Sequence, residues 1–82
     1  MGAMNDDKKI FFSDIATRLD KAINAKVGVK GLEILVAGMV RKKLLKRSTL
    51  STRKRIDGEF WLTAKDVEKL SRYAGYDLTQ ND

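Results

Sequence analysis

The sequence predicts a small α+β domain with the order helix, helix, β-hairpin, helix. Three observations carry this. Apolar residues recur at helical spacing in three stretches, Asp57-Gly58 separates two short segments of strand character, and glycines or hydroxyl residues stand at the joins.

Residues 1–9 read as a disordered tail, with Met1 to Met4 (MGAM) as a remnant of cloning. Ile10, Phe11 and Phe12 form a short extended apolar step. Ser13 offers an N-cap and Asp14 puts a negative charge in the first turn, so the first helix is expected over Asp14 to Ala25. Its apolar face is Ile15, Ala16, Leu19, Ala22 and Ile23, while Arg18, Asp20, Lys21 and Asn24 face outward. In the following KVGVKG, Gly28 is the expected C-terminal stop, because glycine takes the left-handed conformation without steric cost. Val27 and Val29 are expected to plug into the core as the chain turns.

A central helix is expected over Leu32 to Lys46. On a helical wheel, Leu32, Ile34, Leu35, Val36, Ala37, Met39 and Val40 spread around nearly the whole circumference, which predicts a first half buried on all sides. From Arg41 onward only Leu44 and Leu45 are apolar, so the second half is expected to carry positive charge to the surface. Cations also suit a helix C-terminus.

Ser48 to Thr52 (STLST) ends the helix with side chains that compete for backbone hydrogen bonds. A hairpin follows, with strands near Ser51 to Ile56 and Glu59 to Leu62. A two-residue turn pairs Ile56 with Glu59 and Lys54 with Trp61. A three-residue loop with a glycine bulge pairs Arg55 with Glu59 and Arg53 with Trp61. The second register is preferred, because it puts Leu50, Phe60 and Leu62 inside and Arg53, Arg55 and Trp61 outside. Thr63 to Asp66 (TAKD) is a partial capping box. Val67, Leu70 and Ala74 mark one face of a third helix, Tyr73 its border and Gly75 its end. Tyr76 and Leu78 pack back before residues 79–82 fray. Residues 10–78 thus read as one domain without repeats or linkers.

Composition narrows the function. The 82 residues carry 17 Lys and Arg against 11 Asp and Glu, a net charge of +6, which favours an acidic partner. No cysteine and no histidine occur, so cysteine-based zinc sites are excluded and the commonest general base is missing. No nucleophile signature, phosphate loop or cofactor motif is present, so an enzyme, a small-molecule substrate, a metal and a cofactor are not expected. The longest uncharged apolar run is Ile34 to Val40, far short of the roughly 20 residues a membrane span needs. A cytoplasmic, nucleoid-associated protein is the expectation.

The charge is concentrated. Between Glu33 and Asp57 no acidic residue occurs, whereas Arg41, Lys42, Lys43, Lys46, Arg47, Arg53, Lys54 and Arg55 crowd together. Lysine and arginine neutralise phosphates and release counterions, and Ser48, Thr49, Ser51 and Thr52 can donate to phosphate oxygens. Trp61 has two readings: a stacking platform beside arginine at a nucleic-acid surface, or a half-buried aromatic holding the hairpin on the third helix.

RKRIDGEFWLTAKDVEKL, Arg53 to Leu70, resembles the wing and following helix of winged helix-turn-helix proteins of the MerR and phage-excisionase type. The resemblance spans these residues only. It implies a winged-helix-like domain, a recognition helix before the wing, and wing contacts from Arg53, Lys54 and Arg55. The leading expectation is therefore binding of double-stranded DNA, mainly through phosphates, in a regulator or a nucleoid, phage or plasmid protein. Two alternatives stand beside it: a homodimer or protein-interaction module built on the apolar central helix, and RNA binding by the same charge.

Overall fold

The computed structural model describes residues 8–50 and 59–79. It is a mixed helix and sheet fold: strand β1 (Lys9–Phe11), helix α1 (Phe12–Ile23), helix α2 (Gly28–Arg41), a 3-10 turn (Arg47–Leu50), strand β2 (Trp61–Thr63) and helix α3 (Ala64–Ala74). The first strand and turn of the expected hairpin fall on residues 51–58, outside the described residues.

The sheet is antiparallel and joins distant parts of the chain, pairing Lys9 with Thr63, Ile10 with Leu62 and Phe11 with Trp61. The Phe12 N–H continues the pairing by donating to the Phe60 carbonyl at 3.0 Å. Side chains alternate across a strand, so Phe60 and Leu62 share the inner face, where both are buried as expected. The Phe12 and Phe60 rings meet there at 5.5 Å, tilted by 44°.

Helix α1 begins two residues before the expected start. Its N-cap is Phe11, and Ser13 lies inside the first turn. Glu59 satisfies the Ser13 N–H instead, accepting it on Oε1 at 2.8 Å, so a carboxylate from across the fold substitutes for a local cap. Phe12, Ile15, Ala16 and Leu19 form the buried stripe. The helix ends on Asn24, which takes the left-handed conformation at φ 56°. Asn24 therefore holds the role expected of Gly28, because asparagine tolerates that region better than other side chains. Gly28 opens α2 instead, also at positive φ.

Helix α2 is amphipathic, not buried on all sides. Leu32, Val36 and Met39 are completely buried, each worth about 1.5–3 kcal/mol relative to exposure. Ile34, on the opposite side, is 71% exposed. Leu35 and Val40 are partly buried against the core, so the expectation fails at Ile34, the one large apolar side chain of α2 left exposed. The helix also stops at Arg41, five residues before the expected end. Lys43 N–H bonds the Val40 carbonyl and Leu44 N–H the Met39 carbonyl, both at 2.9 Å, with Lys43 left-handed at φ 61°. This is a Schellman motif closed by lysine in the place glycine usually fills.

Helix α3 matches its expected limits. Thr63 Oγ1 accepts the Asp66 N–H at 3.2 Å, and Gly75 closes the helix at φ 84°. Leu78 is fully buried beyond it, while Tyr76 is exposed. Leu78 is fastened from both sides: its N–H donates to Ser71 Oγ at 2.9 Å, and its carbonyl accepts Arg18 Nη1 at 3.0 Å. Among the described residues no helix is long and apolar enough to cross a membrane.

Candidate nucleic-acid interface

The turn after α2 determines where the basic run goes. Had the helix continued, Arg41 to Arg47 would have wound around its axis. The Schellman closure instead swings the chain sideways at Lys43, and Leu45, 5% exposed, anchors the new direction in the core. The cations on either side of that anchor stay at the surface.

All of them but Lys42 line one concavity, bounded by the end of α2 and the 3-10 turn on one side and by β2 and the start of α3 on the other. Arg41, Lys43, Lys46 and Arg47 come from the first side, Lys65 and Lys69 from the second. Asp66 is the one carboxylate among the described lining residues. At about 1140 Å³ the concavity exceeds the roughly 300–1,000 Å³ of small-molecule pockets and is an open cleft. Like charges that line one cleft reinforce one another where their separations fall within a Debye length, about 8–10 Å at moderate salt, and draw anions in.

Of the residues singled out from sequence, Arg41, Lys43, Lys46, Arg47, Thr49 and Trp61 meet at this cleft. Lys42 does not line it. Its Nζ sits over the Tyr73 ring, 5.9 Å from the centroid, on the side where α2 meets α3. Of Ser48 only its place in the 3-10 turn is described. Ser51, Thr52, Arg53, Lys54 and Arg55 lie outside the described residues.

Trp61 is half-buried between Phe60 and Leu62, as one of its two expected readings has it. It lines the cleft and carries Lys9 Nζ 5.1 Å above its ring. Lys9 reaches it diagonally across the two-stranded sheet, a separation long side chains can span.

Lys65 and Lys69 were not singled out from sequence, because two lysines four apart on a helix look like an ordinary solvated face. One signal was available. Lys65 stands in the first turn of α3, where the positive end of the macrodipole disfavours a cation. Lys43 likewise occupies a backbone conformation that disfavours a lysine. Two of the six cations thus hold locally unfavourable positions, and both face the same cleft.

No group of three or more metal-ligating side chains with suitable placement occurs among the described residues. No protein-family model matches the chain, and searches of curated proteins and solved structures give no significant match.

Proposed function

We propose that this chain is a winged-helix-type DNA-binding domain that holds duplex DNA mainly by its phosphates. The observation carrying the proposal is the convergence of six cations from two separate parts of the chain on one cleft, with a single carboxylate among the described lining residues. Local physics disfavours Lys43 and Lys65 where they stand, and such conflicts between local and global preference concentrate at functional sites.

The helical part is compatible with this reading. Helices α1 and α2 are joined by residues 24–27 alone, a turn length typical of helix-turn-helix units. Strand β2 lies where the expected hairpin has its return strand. In this reading Arg53, Lys54 and Arg55 supply wing contacts, and the cleft supplies the rest.

A fluorescence-anisotropy titration against a random duplex at two salt concentrations tests the proposal. Neutralised phosphates set the slope of log affinity against log salt at about −0.9 each, so binding through this surface falls steeply as salt rises. Absence of binding at low salt removes the proposal. Structured RNA at matched salt is the companion arm, and tighter RNA binding would reassign the surface to RNA.

Ile34 favours a second reading, a homodimer. It is 71% exposed on α2, and Val27, the N-cap of the same helix, is 36% exposed. Sedimentation over a wide concentration range decides it, since a strict monomer at high concentration excludes self-association through this face.

A further inference from the structure

The proposed function rests on a basic run that is continuous in sequence, yet the cleft has a second wall that the run does not supply. Lys65 and Lys69 lie four residues apart on α3, on the same side as the half-buried Trp61. Opposite them stand Lys43, Lys46 and Arg47 from the turn after α2. A flat basic patch would attract a duplex over a broad area. Two facing banks of cations with an aromatic ring among the lining residues favour a narrower object, with negative charge accessible from both sides.

We infer that one sugar-phosphate strand of the duplex lies in this cleft, and that Lys65 and Lys69 are phosphate-binding residues. The inference depends on the proposed DNA binding and gives it a place and an orientation. Each phosphate carries two non-bridging oxygens that point to opposite sides of the strand's path, so each bank meets negative charge. Trp61, among the lining residues, would then lie beside the strand. Helix α3, which otherwise holds the sheet and the Leu78 plug, thereby becomes part of the recognition surface. Asp66 stands between Lys65 and Lys69 in sequence and opposes the field of both. That position suits its place in the first turn of α3, where negative charge is favoured.

Two readouts on the full chain test this. Labelled random duplex is titrated at several salt concentrations, and the emission of Trp61, the single tryptophan, is followed in the same samples. The wild type should show a rise in anisotropy together with a change in Trp61 emission. A Lys65→Ala/Lys69→Ala double variant should shallow the salt slope by about 1.8, the change expected when two phosphates are no longer neutralised. Lys65→Arg/Lys69→Arg should restore the slope. Lys26→Ala/Lys30→Ala removes the same charge from exposed positions outside the cleft and should leave the slope near the wild-type value. Alanine favours helix, so α3 is retained in the test variant.

If the wild type binds but the α3 variant behaves like the Lys26/Lys30 control, α3 is not a contact surface and the inference fails while DNA binding stands. Binding with unchanged Trp61 emission likewise places the strand outside the cleft. Failure of the wild type to bind at low salt removes the proposed function, and this inference with it.

Discussion

The Asp20 carboxylate accepts the Val27 backbone N–H at 2.9 Å, tying the last turns of α1 to the entry of α2. The same oxygen accepts the Gly28 N–H at 3.3 Å. An acid near a helix C-terminus is unfavourable to that helix, so Asp20 serves α2, whose N-cap position Val27 has no side-chain acceptor. Asp20→Ala should cost about 0.5–2 kcal/mol, as loss of a helix cap does. Asp20→Asn keeps an acceptor and should cost less. Urea denaturation of the two variants measures the difference; equal losses would show that charge, and not capping, is what Asp20 contributes.

Lys43 sets stability against charge. Lys43→Gly relieves the left-handed strain at φ 61°, which should stabilise the fold by about 0.5–1 kcal/mol after the greater chain entropy of glycine is deducted. The same change should weaken duplex binding and shallow its salt slope by about 0.9. Thermal melting and a salt-dependent titration on one preparation check both halves. A variant that is more stable and binds as well would mean Lys43 is retained for neither reason.

Asp66 should act in the opposite sense. Asp66→Asn removes the one carboxylate among the described lining residues, and duplex binding should tighten, most clearly at low salt. Its backbone N–H still reaches Thr63 Oγ1, so the cap survives, and only the charge–dipole contribution of about 0.3–1 kcal/mol is lost. Anisotropy at low salt and melting of the free protein read the two effects separately.

Glu59 gives the fold an acid sensitivity. Hydrogen bonding from Ser13 holds its carboxyl below the ordinary glutamate value. A carboxyl whose pKa is lower folded than unfolded adds stability that is complete above the unfolded pKa. That stability is lost as pH falls through the folded value. Stability should therefore decline on acidification through the carboxylate range, and Glu59→Gln should flatten part of the decline. Melting temperatures of both proteins across mildly to strongly acidic pH provide the check; parallel curves would exclude Glu59 as a contributor.

Legibility in the sequence divides along local and non-local lines. Helix α3 was readable because its signals are near neighbours: Thr63 caps Asp66, Val67 and Leu70 share a face, and Gly75 ends it. The stripe of α1 was readable for the same reason. The end of α2 was not, because Lys42 to Lys46 are acceptable helix formers and Leu44 and Leu45 continue a helical pattern. What decides it is the burial of Leu45 against residues far away in sequence. Strand β2 could be placed, but its pairing with β1 could not, since alternation fixes a face and leaves the partner open. The cleft shares this limit. Its first bank is a visible run of charge, whereas its second is an ordinary lysine pair until the sheet brings α3 alongside.

The pairing of Lys9 with Thr63 also governs the order of events in folding. Helices α1 and α2 are neighbours in sequence and meet after closing only a short loop. The sheet must close a loop spanning both helices and the whole basic run, which carries a larger entropic cost. Pulse-labelled hydrogen exchange should therefore find amides of α1 and α2 protected before those of β2. A chain still emerging from the ribosome would display its basic turn long before the opposing lysines arrive. Its early contacts with polyanions would be those of a charged surface, and the proposed two-sided grip would come into being only when α3 docks.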